Sequence, residues 1–212
     1  MIVVAVDPGS RVTGYSVITR KSGKIILLDA GCIRTDTEQS MEIRLHQIFS
    51  KLDAILTTHQ PTTAAIEEIF AGKSIQSAIV LGQARGVALM TLAKHNLAVS
   101  AYHPLTIKKQ VGGHGKSAKQ EIIRMVSRLL NLDYELPADA ADATAIAITH
   151  LIHSSFSLQS KRNKISPDPS NPLCEQPSKT PKQNTTKATK PPKQKLNRLQ
   201  ELLKQTKKNK KK

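Results

Sequence analysis

Cysteine, aromatic residues and long apolar runs are all scarce in this chain of 212 residues. Its two cysteines, Cys32 and Cys174, are too few for a disulfide framework or a cysteine-based zinc site, and they fit a reducing cytosol. Residues 2–6 are apolar but too short for a signal peptide and lack its basic flank, so they predict a strand. The longest apolar stretch, residues 78–93, includes a glutamine and an arginine and is shorter than a membrane span. We therefore expect a cytoplasmic protein with no membrane partner.

Acidic residues are also few, and the resulting positive charge is unevenly placed. Lys and Arg number 32 against 16 Asp and Glu, a net charge of +16. Residues 1–160 hold 16 basic and 13 acidic residues, whereas residues 161–212 hold 16 and 3, with seven of the eleven prolines and neither glycine nor aromatics. Such a composition cannot bury a core. The sequence therefore predicts a globular domain over residues 1–156, a disordered Lys/Pro-rich tail over residues 157–212, and nucleic acid as the partner.

The order of apolar patterns predicts an α/β fold with a mixed five-stranded sheet flanked by helices. Three strands with short connections come first, and such a run forms an antiparallel meander. Two further strands each follow a helical stripe, which predicts crossover connections, and two more helices complete the domain. The predicted strands cover residues 2–6, 13–19, 24–33, 62–67 and 97–102, and the predicted helices cover residues 41–56, 75–94, 117–130 and 137–151.

Local signals mark the starts of the last two predicted helices. Ser117 with Gln120 resembles a capping box, and Pro137 suits the first position of a helix. In the tail, four leucines within residues 195–206 have helical spacing. This spacing predicts either a short basic amphipathic helix that forms on binding or no structure at all, because an isolated helix of this length is marginal in water.

Four carboxylates occupy positions from which they can converge on one site. Asp7 ends the first predicted strand and Glu67 ends the fourth. If these strands are adjacent and parallel, both carboxylates lie at the carboxyl edge of the sheet, where open α/β sheets bind ligands. Asp139 and Asp142 are three residues apart in the last helix and share one face. Since no histidine or cysteine has matching spacing, the expected occupant is a hard, oxygen-ligated cation, Mg²⁺ or Mn²⁺.

Each of these carboxylates also has a purely structural interpretation. An aspartate before Pro-Gly, such as Asp7, is a common turn former, and a carboxylate near a helix start, such as Asp139, gains about 0.3–1 kcal/mol from the helix dipole. Glu67 is the hardest to explain structurally, because a buried strand precedes it, whereas Glu68 points to the opposite face. Together, in a basic chain, the four favour a nuclease that uses two metal ions about 4 Å apart to activate water and stabilise the leaving oxygen.

Four segments of the chain resemble a known family. They read Asp-Pro-Gly-Ser-Arg-Val-Thr-Gly-Tyr at 7–15, Ala-Ile-Glu at 65–67, Leu-Gly-Gln-Ala-Arg-Gly-Val at 81–87 and Ala-Asp-Ala-Ala-Asp-Ala at 138–143. In this order they resemble the motifs of bacterial RuvC-type Holliday junction resolvases. The resemblance spans residues 1–156; the tail matches no motif of that family.

The resemblance implies a ribonuclease-H-like fold, a homodimer and Mg²⁺-dependent cleavage of two opposed strands at a four-way DNA junction, in recombination and repair. It assigns the catalytic and metal-binding roles to Asp7, Glu67, Asp139 and Asp142, with about two ions per subunit, Mn²⁺ as a substitute and metal-activated water as the nucleophile. The products are expected to carry 5′-phosphate and 3′-hydroxyl ends. The implied protein partners are a junction-recognition protein and a hexameric branch-migration motor.

A lysine-rich segment around the glycine-rich residues 112–115 is a candidate DNA-binding surface. Backbone amides of such a loop together with ammonium groups can bind phosphates, although a merely solvated loop has the same composition. The family resemblance favours DNA contacts for Lys108 and Lys119, and Lys109 and Lys116 flank the same loop. His114 is interpreted as a loop residue rather than a catalytic base.

Two apolar features have both a structural and a functional interpretation. Phe70 follows Glu67 by three residues and is either a core residue or, as the resemblance implies, a wedge that stacks on an unpaired base at the junction centre. The helix over residues 75–94 is apolar on many faces, and Gly82 and Gly86 permit a close backbone approach. Deep burial within one subunit explains this, and so does a twofold dimer interface.

Two other functions are compatible with the same fold. One is a catalytically inert module that binds junctions or RNA, which loss of one carboxylate from the quartet would favour; none is lost. The other is a ribonuclease-H-like enzyme that acts on RNA–DNA hybrids. Cleavage of a synthetic four-way junction compared with a hybrid duplex distinguishes all three.

Overall fold

A computed structural model describes residues 1–68, 74–113, 115 and 117–162. Five strands and five helices are found in this part of the chain. In chain order they are β1 (Ile2–Asp7), β2 (Val12–Lys21), β3 (Lys24–Arg34), α1 (Met41–His59), β4 (Thr63–Glu67), α2 (Ile75–Lys94), β5 (Val99–Tyr102), α3 (Pro104–Gly112), α4 (Lys119–Leu130) and α5 (Ala138–Arg162).

The five strands form one mixed sheet in the order β3-β2-β1-β4-β5. The pairs β1–β2 and β2–β3 are antiparallel, and the pairs β1–β4 and β4–β5 are parallel. The predicted meander and crossovers are therefore confirmed. The order also makes β1 and β4 adjacent and parallel, so their carboxyl ends meet at one edge of the sheet.

Side chains of β1 alternate between two helical layers, because successive residues of a strand face opposite sides of the sheet. Val3 and Ala5 pack with α3, α4 and α5, whereas Val4 and Val6 pack with α1 and α2. All four side chains are fully buried. The continuous apolar run of β1 therefore reflects burial on both faces.

Helix α3 was not predicted, since this segment was identified only as lysine-rich sequence around the glycine-rich residues 112–115. Its nine residues begin at Pro104, and the ring of His103 accepts a hydrogen bond from the backbone N–H of Leu105. The helix stops at Gly113, whose positive φ of 81° suits a residue without a side chain. Only two of its residues are buried, so its periodic signal is weak.

The predicted capping box at Ser117 is wrong. Helix α4 begins at Lys119 with Ala118 as its N-cap, and no side chain caps it. The hydroxyl of Ser117 instead donates to the carbonyl of Gly112, at 3.3 Å, and the serine is buried. Ser117 therefore fastens the end of α3 to the start of α4.

Helix α5 begins one residue after Pro137, whose carbonyl accepts from the N–H of Ala141 at 2.8 Å. It runs to Arg162, and thus beyond residues 151 and 156, where we expected the helix and the domain to end. Residues 163–212 lie outside the described part of the chain, including the predicted amphipathic helix at 195–206. The domain boundary therefore stays a prediction.

Candidate active site

Asp7 and Glu67 lie at the carboxyl ends of two adjacent parallel strands. The last aligned pair between β1 and β4 is Val6 with Ile66, and each acidic residue is the next one along its strand. Residues at equivalent positions of a pleated sheet face the same side. Both carboxylates accordingly line one cavity on the side of the sheet that α5 covers.

The other two carboxylates enter from the first turns of α5. Gly14 pairs with Asp7 across the β1–β2 ladder, and its Cα faces the backbone of Asp139. A side chain at Gly14 would overlap the carbonyl of Asp139. Because Gly14 has no side chain, the start of α5 can approach the end of β1. This approach brings Asp139 and Asp142 to the sheet edge.

Three of the four predicted carboxylates form a compact cluster. One carboxylate oxygen from each of Asp7, Asp139 and Asp142 lies within 4.8 Å of the others. Glu67 is outside this group of three but lines the same cavity of about 230 Å³ as Asp7 and Asp142. Closely spaced carboxylate oxygens are the donor set that hard divalent cations prefer. The three clustered residues thus fit a divalent metal site, and Glu67 borders the cavity beside them.

Burial and like charge alter the acidity of Asp7. Burial of its carboxyl group, together with the negative charges of Glu67, Asp142 and Asp139, raises the pKa of Asp7 from 3.8 to about 7. The ammonium group of Lys119 acts in the opposite direction. Without a cation, protonation of Asp7 therefore persists up to near neutral pH.

Lys119 lies within the acidic cluster. Its Nζ is 2.8 Å from Oδ2 of Asp142 and 3.9 Å from Oδ1 of Asp139. The hydrogen bond to Asp142 raises the pKa of Lys119, and the charges of Asp142, Asp139 and Asp7 raise it too. This position supplies one positive charge to the carboxylates, a role that the prediction of a phosphate contact did not include.

The structure describes two of the other predicted DNA-binding residues, Lys108 and Lys109. Lys108 lines the same cavity as Asp7, and Lys109 is exposed on the same helix, α3. These two lysines thus lie on a helix that leads into the predicted glycine-rich loop. Three other residues singled out in the sequence lie outside the described residues: Phe70, His114 and Lys116.

The turn after Asp7 is held by residues that the sequence analysis missed. The carbonyl of Ser10 accepts from Nη2 of Arg44 at 2.6 Å and from the hydroxyl of Thr35 at 2.7 Å. The hydroxyl of Thr13 donates to the carbonyl of Gly9 at 2.7 Å. Because the acceptors of these hydrogen bonds are backbone carbonyls, no residue spacing or sequence pattern predicts them.

The acidic cluster opens on a second side as well. Asp139 borders a groove of about 620 Å³ between the turn that follows β1 and the first turns of α2. The cluster therefore lies between two openings, one lined by lysines and one lined by this turn and α2. The groove is lined by Gly9, Ser10, Arg11, Val12, Gln76, Ser77, Val80, Leu81 and Asp139.

Comparisons with known proteins agree on one family. The family described as "Crossover junction endodeoxyribonuclease RuvC" matches residues 3–150. RuvC of Acinetobacter baumannii is 44% identical over 157 residues, covering 74% of this chain and 86% of that protein. RuvC of Francisella tularensis subsp. novicida is 49% identical over 158 residues, covering 74% and 91%. Most of the length of both relatives is thus represented here.

Solved structures give the same result for the fold. Thermus thermophilus RuvC in complex with a Holliday junction substrate superposes with a TM-score of 0.70 at 31% identity, covering 74% of this chain and 96% of that one. The yeast mitochondrial Holliday junction resolvase Ydc2 superposes at 0.53 with 16% identity, covering 76% and 83%, a likeness of fold alone. The predicted ribonuclease-H-like fold is confirmed. The chain belongs to the family of RuvC crossover junction endodeoxyribonucleases, the enzymes that resolve Holliday junctions.

Proposed function

We propose that this endonuclease cuts four-way DNA junctions with divalent metal ions held by Asp7, Glu67, Asp139 and Asp142. The observation that carries the proposal is the convergence of three carboxylate oxygens, from β1 and α5, within 4.8 Å of one another. Three such groups repel one another strongly unless a cation or a proton neutralises them. A divalent cation satisfies this requirement at neutral pH with the oxygen ligands that it prefers.

The expected ions are Mg²⁺, with Mn²⁺ as a substitute, at about two per subunit. When bound, they supply Lewis-acid activation of water and stabilise the leaving oxygen of the phosphodiester. Asp7 ends β1, Glu67 ends β4, and Asp139 and Asp142 lie on α5, so the four acids come to the site from three elements.

Basic residues around the cavity are proposed to bind the DNA backbone. Lys108 and Lys119 border the carboxylates, and Lys109 is exposed on α3 beside them. Their charges attract phosphates and hold the strand at the acidic cluster, which would otherwise repel it. We assign Lys116 to the same surface because it flanks the same glycine-rich residues, and by family resemblance we assign Phe70 to base stacking at the junction centre.

We further propose that two copies of the chain pair through α2. Ile75, Ile79 and Met90 are exposed by 80%, 57% and 57%, and they share one face of the helix. A side-chain carbon added at Gly82 or Gly86 would meet no atom within 4 Å. Within the part of the chain that the structure describes, this face is therefore exposed, which disfavours deep burial within one subunit, the structural alternative in the sequence analysis.

A second copy explains the exposed face of α2 better than a lipid bilayer does. By length and composition alone the helix is apolar enough to cross a membrane, but core helices pass the same test. Ala84, Ala88 and Leu92 bury the opposite face of α2 in this domain. Resolution of a junction requires cuts in two strands. A symmetric pair of subunits presents two metal sites, one for each of these strands. We place the enzyme in the cytoplasm, with a junction-recognition protein and a hexameric branch-migration motor as partners by family resemblance.

A comparison of substrates tests the proposed function. The full chain is incubated with a synthetic four-way junction, a linear duplex of the same sequence and an RNA–DNA hybrid, in Mg²⁺, in Mn²⁺ and in EDTA. Paired cuts in the junction with either ion, and none in EDTA, are expected. Preferential cleavage of the hybrid would favour the ribonuclease-H-like alternative, and binding without cleavage of any substrate would favour the inert module.

A further inference from the structure

The carbonyl of Glu67 lies where the parallel ladder between β1 and β4 has ended. The last pair of that ladder is Val6 with Ile66, one residue before Glu67. On β1 the chain then continues through Asp7 to Pro8, which has no N–H to donate. On the other side the sheet is intact, since the N–H of Glu68 donates to Tyr102 at 2.9 Å. The strand end that carries Glu67 is therefore supported by β5, and it lies one residue past the last aligned pair with β1.

Arg85 of α2 supplies a hydrogen bond at this place. Its Nε donates to the carbonyl of Glu67 at 3.3 Å, and the bond is partly buried. The preceding residue, Ala84, is fully buried against the sheet, and so is Ala88 three residues later. The backbone of α2 is thus fixed on both sides of Arg85, so the arginine can transmit that rigidity to the end of β4.

We propose that Arg85 is a positioning residue that fixes the backbone of Glu67 and thereby the direction of its carboxylate toward the metal site. This inference rests on the proposed role of Glu67 as a metal ligand. Groups that orient metal ligands typically change metal affinity by 10-fold to 100-fold when they are removed. Arg85 acts through a backbone atom, so its effect is on Mg²⁺ affinity and not on the binding of DNA.

The arginine side chain permits a test that separates the hydrogen bond from the charge. Glutamine places its amide nitrogen the same number of bonds from Cα as Nε of arginine, so Arg85→Gln keeps a donor and loses the charge. Arg85→Lys keeps the charge but has a methylene group at that position. In Arg85→Met the side chain has a comparable length but carries neither a hydrogen-bond donor nor a charge.

Four quantities are measured for the wild type and the three variants, with the full chain. They are the Mg²⁺ concentration at half-maximal junction cleavage, the Mg²⁺-induced rise in the unfolding temperature, junction affinity in EDTA, and the dimer dissociation constant. Arg85→Met and Arg85→Lys are expected to raise the half-maximal Mg²⁺ concentration about tenfold and to diminish the Mg²⁺-induced rise. Arg85→Gln is expected to stay within about threefold of wild type, and junction affinity in EDTA is expected to hold for all three.

The same data expose the competing roles of Arg85. If Arg85→Lys behaves as wild type while the glutamine and methionine variants lose junction affinity, Arg85 is a phosphate contact and the inference is wrong. If all three variants share a weakened dimer with unchanged Mg²⁺ dependence, Arg85 belongs to the subunit interface and the inference is also wrong. If all three variants unfold at an equally lowered temperature and show normal Mg²⁺ dependence of cleavage, the role of Arg85 is structural and the proposal is wrong.

Glu67→Gln is the control that separates this inference from the proposed function. Loss of cleavage in Glu67→Gln with normal Mg²⁺ dependence in Arg85→Met overturns only the role of Arg85. Full cleavage by Glu67→Gln removes Glu67 from the metal site, and the role of Arg85 falls with it.

Discussion

Gly14 lies opposite Asp7 in the β1–β2 ladder and in direct contact with the backbone carbonyl of Asp139. One residue without a side chain thus sets the distance between the end of β1 and the start of α5. All three clustered carboxylates depend on this distance, since Asp7 belongs to β1 and Asp139 and Asp142 belong to α5. The metal site is consequently defined by backbone packing as well as by its ligands.

Gly14→Ala is expected to separate the carboxylates. The added methyl group collides with a helix carbonyl, which cannot rotate away as the end of a flexible side chain can. The variant should lose about 1–3 kcal/mol of stability and require several times more Mg²⁺ for cleavage. Gly31→Ala on β3 is the control, because its new methyl group meets the ring of Tyr15. Equal Mg²⁺ requirements for the two variants would contradict the proposed link between Gly14 and the site.

The metal-free enzyme should be stabilised when Asp7 is replaced by asparagine. The pKa of Asp7 is about 7 in the folded chain and 3.8 unfolded, so folding retains a proton that the unfolded state releases. Stability contributed by the protonated form is present below pH 4 and is lost as the pH rises toward 7. Asp7→Asn in EDTA should therefore gain about 2–4 kcal/mol at pH 8 and almost nothing at pH 4.

Thermal or urea unfolding at both pH values measures this effect. Asp133→Asn serves as the control, because Asp133 is exposed and lines neither opening of the acidic site. A gain that is the same at pH 4 and pH 8 would show that burial of the amide, not release of a charge, is responsible.

Lys119 should matter far more for cleavage than for stability. Its ion pair with Asp142 is about half exposed, and exposed pairs contribute less than about 1 kcal/mol. In Lys119→Met the acidic cluster loses its positive neighbour, so we expect cleavage to fall about tenfold or more while the unfolding free energy changes little. Lys109→Met, which alters an exposed lysine of α3, is the matched control. A similar small loss in both variants would remove Lys119 from the site.

A charge on the exposed face of α2 should separate the two subunits. Gly86→Glu places an unpaired carboxylate in a contact that excludes water, at a cost of several kcal/mol. We expect folded monomers that nick a cruciform plasmid but rarely linearise it, as measured by analytical ultracentrifugation and gel analysis. Leu129→Glu, at an exposed leucine of α4, should leave the dimer intact. A dimeric Gly86→Glu protein would place the interface elsewhere, and a monomeric wild type that linearises the plasmid in one binding event would exclude the dimer.

Much of the site could be predicted because its ligands lie at positions that patterns define. Asp7 and Glu67 follow buried apolar runs, and the three-residue spacing of Asp139 and Asp142 places them on one helix face. Burial of a strand and the periodicity of a helix are properties of neighbouring residues in sequence. Four carboxylates could therefore be assigned to one sheet edge before their contacts were known.

Other features depend on contacts that no local pattern encodes. Helix α3 has nine residues and buries only Ile107 and Val111, too few for a clear stripe. Ser117 matched a capping signal, but its hydroxyl bonds to Gly112 across the α3–α4 connection. Arg44 and Arg85 reach backbone carbonyls from helices on the opposite face of the sheet. Such hydrogen bonds depend on the distance between the two groups in the folded chain, and any residue can supply the backbone carbonyl.

The most direct test of the central claim compares cleavage with binding in four single variants: Asp7→Asn, Glu67→Gln, Asp139→Asn and Asp142→Asn. Each is assayed on one synthetic four-way junction, for cleavage in Mg²⁺ and for affinity in EDTA. If the quartet holds the metal, cleavage by every variant falls to background while junction affinity is retained or rises, because removal of a negative charge lessens repulsion of DNA. A variant that cleaves at close to the wild-type rate would contradict the assignment of its carboxylate to the metal site.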